Sequence, residues 1–214
     1  MNVLFLDNDI YYVLAATDTL DQFLSILGIR TESVYILPEL KWVVHNHTRK
    51  YSPEQRARCC DFYNKFQEAI LTQREEDLLP ALLQVNGVDN GEARLLARLS
   101  NEDDGALLTK DTRFVAALSK TGLDIQSKVS GKIIILEHIL FALYFRYGHA
   151  YIVRKFSDYI PFDKKLISIL SSINQENEDS FKEGLDSNIR RRLIDLEPFL
   201  FSFEDLKNRA LHKS

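Results

Sequence analysis

The sequence predicts an α/β protein in which a parallel β-sheet is flanked by helices and followed by a C-terminal helical extension. Short β-branched and apolar runs alternate with helical patterns, which is typical of βαβ units with right-handed crossovers. After Gly148 only helical patterns remain. The chain has 214 residues, 45% of them hydrophobic and 27% charged, so it is long enough to bury one sizeable core.

The strands are predicted from short apolar runs bounded by polar or turn-forming residues. The run VLFL is the first, and GKIIIL is the last. A short run near Leu83–Val85 is a further strand candidate. Apart from this candidate, the predicted strands lie at residues 3–6, 34–37, 105–109 and 131–136, the first and last of which are VLFL and GKIIIL.

Helices are predicted between these strands. The helix after the second strand begins at Pro38, a residue suited to the first helical turn. The next helix begins at Ser52 or Pro53 and continues to about Ile70, and Asp89 opens a later one. One further helix is predicted within residues 75–85, and the remaining helical patterns of this part lie at residues 10–17, 20–27, 112–120 and 137–147.

We divide the chain into an α/β domain, residues 1–149, and a helical extension, residues 150–214. The extension contains helical patterns separated by Pro161, a polar run and Pro198. These patterns lie at residues 152–159, 163–173, 180–196 and 202–211.

Several features predict a cytoplasmic protein with no membrane partner. The adjacent Cys59 and Cys60 offer neither a set of paired bridges nor spaced metal ligands, which fits a reducing compartment. The first residues have no basic region and reach Asp7 directly after VLFL, so we expect no signal peptide. The most apolar stretch is interrupted by Glu137 and His138 and is too short to span a bilayer.

The net charge of −4 is unevenly distributed. Residues 151–214 contain 11 basic and 11 acidic side chains, whereas residues 1–150 contain 16 basic and 20 acidic ones. An acidic total argues against binding of nucleic acid by bulk charge. It is compatible with an acidic metal site that has a local basic rim.

Acidic residues follow the predicted strands at the point where each strand ends. Because ligands of open parallel sheets bind outside the carboxyl ends of the strands, we expect these acids to share one edge. Crowded carboxylates raise one another's pKa, and a hard divalent cation with oxygen ligands relieves that conflict. Two such ions would form a clamp for phosphodiester hydrolysis. The acids in question are Asp7, Glu39, Glu92 and Asp111.

Each acid also has a simple structural explanation. Asp7, Asp9 and Asp111 are suited to capping the helices that follow them. Glu92 lies three residues after Asp89 and could complete a capping box with it. The glutamate after the second strand suits the dipole of a first helical turn. Helix capping explains each acid, but it does not require one at every strand-to-helix junction.

Four motifs together resemble the PIN-domain family of nucleases. LFLDND is similar to the opening motif, in which a strand ends in aspartate, and YILPEL to a strand followed by a helix bearing glutamate. VDNGEARLLARL resembles the third acidic motif, and GALLTKDTRF resembles the fourth, a strand running into Thr-x-Asp. The resemblance covers about residues 1–147. It implies a PIN-like sheet and a Mg²⁺- or Mn²⁺-dependent endoribonuclease.

The resemblance also implies roles for individual residues. Thr109 would be a supporting hydroxyl, and Asp9, where the family usually has a small hydroxyl or amide residue, is an additional candidate ligand. RNA would be the substrate. A homodimer, a toxin or defence role, and an antitoxin or other regulatory partner are left open. The metal-binding and catalytic acids would be Asp7, Glu39, Glu92 and Asp111.

Two other functions are compatible with the same residues. In a phosphatase of the haloacid dehalogenase type, Asp7 would be the nucleophile and Asp9 the general acid. That chemistry needs a lysine followed by an acidic pair, whereas here Asp103 and Asp104 precede Lys110. A PIN-like scaffold could instead bind RNA or protein without cleaving, although all four acids are present.

Overall fold

A computed structural model describes residues 1–42, 51–157 and 196–212, together with the single positions 159 and 183. In this part of the chain a five-stranded, all-parallel sheet is flanked by helices, as the sequence predicts. The strand order is β3-β2-β1-β4-β5. The strands are β1 (Val3–Leu6), β2 (Val34–Ile36), β3 (Gln67–Glu68), β4 (Gly105–Thr109) and β5 (Ile133–Ile135).

The helix predicted at Ser52 or Pro53 begins where local capping chemistry places it. The Ser52 side chain accepts the backbone N–H of Gln55 at 3.3 Å, and Pro53 occupies the first turn. Residues 40–42 are helical, and the rest of the helix predicted after Pro38 lies outside the described residues. None of the described helices has the length and apolar character of a membrane span. The helices are α1 (Asn8–Ala16), α2 (Leu20–Leu27), α3 (Pro53–Tyr63), α4 (Gln73–Glu76), α5 (Leu79–Leu82), α6 (Asn90–Leu99), α7 (Thr112–Ala117), α8 (Leu123–Val129), α9 (Leu136–Tyr147), α10 (His149–Phe156) and α11 (Phe203–Leu211).

One predicted strand is wrong. Residues 83–85 form turns after α5, and the additional strand is β3, within a segment that the sequence predicts to be helical. The side chains of Gln67 and Glu68 are exposed, and β3 lies at the sheet edge. It is held by backbone bonding, as in the 2.8 Å hydrogen bond from Ala69 N–H to the Ile36 carbonyl. An edge strand of this kind has no apolar pattern that the sequence could reveal.

The central strands separate two hydrophobic clusters. Leu4 and Leu6 pack with α1, α2 and α9 on one face of the sheet, whereas Phe5 and Leu107 pack with α6, α7 and α8 on the other. All five residues of β4 are buried. Burial on both faces explains why these strands are continuous apolar runs in the sequence. It also holds β1 and β4 side by side.

The described parts of residues 150–214 pack on the α/β core. Helix α11 contacts α9 and α2, and Leu206 is fully buried in the same cluster as the sheet. The Arg209 guanidinium donates to the Leu27 carbonyl at 2.8 Å. Leu200 adds a feature that the sequence does not predict, an isolated parallel bridge to Ile133. The predicted helices at 163–173 and 180–196 lie outside the described residues apart from single positions, and the domain boundary stays a prediction.

The buried contact of α11 can be tested with Leu206→Ala. We expect the free energy of unfolding to fall by about 2–5 kcal/mol, because the change removes a fully buried side chain and leaves a cavity. Urea denaturation measures this difference. The matched control is Leu211→Ala on the same helix, which is 54% exposed and should change stability by less than about 0.5 kcal/mol. A Leu206→Ala protein as stable as the control would contradict the packing of α11 on the core.

Candidate functional site

An acidic cleft of about 350 Å³ lies at the carboxyl edge of the sheet. All four acids predicted from the sequence line it, as does Asp9. They come from four separate segments of the chain, so only the fold brings them together. The residues that line this acidic cleft are Asp7, Asn8, Asp9, Leu37, Glu39, Asp89, Asn90, Gly91, Glu92 and Asp111.

The pairing of β1 with β4 places Asp7 beside Thr109. Leu6 pairs with Leu108 in the parallel register, and the Asp7 N–H donates to the Leu108 carbonyl at 3.0 Å. The Thr109 hydroxyl donates to Asp7 Oδ2 at 3.0 Å, and it accepts the Asp111 N–H at 3.1 Å. Because Thr109 is fully buried, these two bonds orient its proton toward Asp7. The Thr109 hydroxyl therefore holds the Asp7 carboxylate in place, and its role in a reaction stays a prediction.

Asp7 has an unusual electrostatic environment for an aspartate. Burial raises its pKa to about 6, against the lowering effect of the Thr109 hydrogen bond. The nearby charges of Asp9 and Asp89 raise the pKa further. Asp7 precedes α1, but its side chain makes no capping hydrogen bond to that helix. The helix-cap explanation is therefore wrong for Asp7.

Glu92 combines a capping role with a position in the cleft. Its Oε2 accepts the Asp89 N–H at 2.8 Å, and Asp89 Oδ1 accepts the Glu92 N–H at 2.8 Å. This capping box is the one that the sequence predicts. Burial raises the pKa of Glu92 to about 7, and the charges of Asp89, Asp7 and Asp111 also raise it. Capping therefore does not remove Glu92 from the electrostatics of the site.

Asp111 differs from Asp7 and Glu92 because a positively charged side chain, that of Arg113, contacts it. Its Oδ1 caps α7 by accepting the N–H groups of Arg113 at 2.8 Å and Phe114 at 3.3 Å. The Arg113 guanidinium donates to both carboxylate oxygens. Burial alone would raise the pKa of Asp111, but the hydrogen bonds from the Arg113 side chain and the two N–H groups lower it below its ordinary value. Asp111 is therefore ionised under conditions in which Asp7 and Glu92 can carry protons.

Two exposed acids of the cleft have cationic partners. The Glu39 carboxylate is 51% exposed and pairs with Arg94, a residue of α6. The Asp9 carboxylate is 70% exposed and lies 3.5 Å from the Lys110 ammonium. These two acids contribute charge at the more solvated parts of the cleft, whereas Asp7 and Glu92 lie deeper.

Asp89 is an acid of the site that sequence reasoning assigns only to helix capping. It lines the acidic cleft, and its charge raises the pKa of both Asp7 and Glu92. Its spacing of three residues before Glu92 was the available signal, because a completed capping box brings the two carboxylates to one helix start. The cleft therefore contains six carboxylates, which are the four predicted acids, the additional candidate Asp9, and Asp89.

The donor chemistry of the cleft fits a hard cation. Its charged lining residues are all carboxylates, and histidine and cysteine are absent from that lining. Burial, and after it the charges of neighbouring carboxylates, raise the pKa of Asp7 and Glu92, and a bound cation would favour their charged forms. Within the described ranges, however, no three His, Cys, Asp or Glu side chains are already grouped for a metal ion. Glu92 Oε2 and both oxygens of Asp111 already accept hydrogen bonds in this arrangement.

The raised pKa of Asp7 can be tested through its effect on how stability depends on pH. Its pKa rises from an ordinary 3.8 to about 6 on folding, so the folded state binds more protons across this window and loses stability as the pH rises through it. Asp7→Asn removes this loss. We expect a Tm a few degrees higher than wild type at about pH 7.5, and a much smaller difference at about pH 4.5.

The comparison with wild type isolates Asp7 from other groups. Buried His138, whose pKa is lowered to about 3, has the opposite pH dependence, but it is present in both proteins. The control is Asp21→Asn, an exposed aspartate of α2, whose Tm difference should not depend on pH. If the Tm difference between Asp7→Asn and wild type were equal at both pH values, the raised pKa of Asp7 would be refuted.

Comparison of the chain with family models, curated proteins and solved structures finds no match. The resemblance to the PIN-domain family therefore rests on the four motifs of the sequence. The all-parallel sheet flanked by helices is compatible with a PIN-like fold. Any function must accordingly be inferred from the chemistry of the acidic cleft.

Proposed function

We propose that the protein is a Mg²⁺- or Mn²⁺-dependent nuclease that hydrolyses phosphodiester bonds of RNA. The observation that supports this most directly is the convergence of all four motif acids on one cleft at the carboxyl edge of the sheet. Two of them, Asp7 and Glu92, have pKa values raised toward neutrality, which is common at functional sites. RNA as the substrate follows from the motif resemblance.

Asp7, Glu92 and Asp111 are the residues that would hold the cation, with Glu39 and Asp89 adding negative charge around it. A hard divalent cation supplies activation of water and stabilisation of the charge that develops on the phosphate. The chain itself orients the carboxylates.

Thr109 is the residue that sets the orientation of Asp7. Its hydroxyl holds Asp7 Oδ2 and is itself held by the Asp111 N–H, so the two acids are connected through one buried side chain. With a pKa of about 6, the Asp7 carboxylate can accept a proton near neutral pH. Asp111 remains ionised and contributes fixed negative charge.

A single assay separates this proposal from its alternatives. The protein is incubated with total RNA, single-stranded DNA and a phosphomonoester in Mn²⁺. We expect RNA cleavage that stops in excess EDTA, because the oxygen-only lining favours a hard cation. Release of phosphate from the monoester would indicate the phosphatase, and no reaction with any substrate the scaffold. Undiminished RNA cleavage in EDTA would contradict the metal requirement.

The roles of Asp7 and Asp111 are tested by Asp7→Asn and Asp111→Asn. Each change removes one charge and keeps the shape of the side chain, so cleavage should fall at least about 100-fold while the fold survives. A purely capping role predicts no such loss, because asparagine caps as well as aspartate.

The matched control for activity is Asp21→Asn, outside the cleft, which should cleave at the wild-type rate. Initial rates on RNA in Mn²⁺ and a thermal melting curve are measured for each variant. A well-folded Asp7→Asn protein with wild-type cleavage would show that Asp7 is not part of the active site.

A further inference from the structure

A second cavity of about 420 Å³ adjoins the acidic cleft. The two cavities share Asp89, Glu92 and Asp111. Among the described residues that line either one, Arg113 is the only cation, and it lines the second. We call this second space the Arg113 cavity. The groove thus changes along its length from purely acidic to partly cationic.

Arg113 is held in a way that is easily reversed. Its Nη2 lies 2.9 Å from Asp111 Oδ2, and its Nε lies 3.3 Å from Asp111 Oδ1. The Arg113 side chain is nevertheless 90% exposed. Exposed ion pairs contribute little net stability, so the guanidinium can exchange its partner at low cost.

We propose that the Arg113 cavity binds a phosphate group of the polynucleotide substrate, with the Arg113 guanidinium exchanging Asp111 for that phosphate. The inference rests on the proposed function and names a substrate-binding residue for it. The planar guanidinium matches phosphate with two parallel hydrogen bonds, the same geometry that it now uses on the Asp111 carboxylate. A phosphate bound there would belong to the same chain that reaches the acidic cleft, because the two cavities share three lining residues and so lie side by side.

The exchange has a consequence for Asp111. Asp111 Oδ2 at present accepts a hydrogen bond from the Arg113 guanidinium. This oxygen becomes available to other ligands once Arg113 binds phosphate instead. Substrate binding would therefore release an oxygen of a proposed metal ligand. Arg94 is placed differently, because it pairs with the more exposed Glu39 and lines neither cavity.

The chain offers a matched control in Arg30. Arg30 is 78% exposed and pairs with Glu32, two residues away, at 3.4 Å, just as Arg113 pairs with an acid two residues away. Arg30 precedes β2, so it lies at the opposite edge of the sheet from the cleft. Arg30→Ala therefore removes an equivalent exposed positive charge outside both cavities.

The test measures binding directly, by fluorescence anisotropy of labelled single-stranded RNA and DNA oligonucleotides of one sequence. Ca²⁺ replaces Mn²⁺, since it takes the same kind of oxygen ligands, and gels confirm that the probes stay intact. For Arg113→Ala we expect RNA affinity to fall about tenfold or more. The slope of log K against log salt should become shallower by about 0.7, the value for one phosphate contact on a single strand.

Three further measurements complete the test. Arg113→Lys, which keeps the charge but cannot form the two parallel hydrogen bonds of a guanidinium, should bind with intermediate affinity. Arg30→Ala should bind as wild type does. Both probes should lose affinity for Arg113→Ala equally, because phosphate is common to RNA and DNA.

Affinity and salt slope of Arg113→Ala equal to those of Arg30→Ala would overturn the inference, and so would a loss confined to RNA. Failure of the proposed function looks different. Wild-type protein that binds RNA through Arg113 but does not cleave it in Mn²⁺ would overturn the nuclease and support the phosphate site. Wild-type protein that binds neither probe would overturn both.

Discussion

The parallel pairing of β1 with β4 is the constraint on which the site depends. Both strands lie in the middle of the sheet and are buried on both faces, so their register is strongly specified by packing. Pairing of Leu6 with Leu108 carries Asp7 and Thr109 to adjacent positions at the carboxyl edge. A slip of one residue would point Asp7 and Thr109 to different faces and separate them.

Around Asp7 and Thr109 the protein places several carboxylates close together, which is more negative charge than the stability of the fold requires. Burial and neighbouring carboxylates raise the pKa of Asp7 and Glu92, whereas hydrogen bonds from Arg113 and the backbone lower that of Asp111. Titratable groups whose environments push their pKa values apart are typical of acid–base and ligand sites. The charges are retained at a cost in stability, which is a physical reason to regard the cleft as functional.

Helix capping and a place in the cleft are not exclusive alternatives. Glu92 and Asp111 both satisfy N–H groups at a helix start, and both line the cleft. Asp7 makes no capping bond, although it directly precedes α1. Because α7 begins directly after β4, at the edge where ligands of parallel sheets bind, the Asp111 carboxylate can serve both purposes. Glu92 reaches the same cleft from α6, which follows turns and not a strand.

The sequence by itself determined β1, β2, β4 and β5, the capping box before α6, and the order of acids along one edge. Burial on both faces leaves an apolar run, and capping leaves a local spacing, so both are written in neighbouring residues. Tertiary structure alone decided the position of β3, an edge strand that backbone bonds hold. It also decided the pairing of Glu39 with Arg94 and the charge coupling of Asp89 with Asp7, because contacts between distant segments depend on how the whole chain packs.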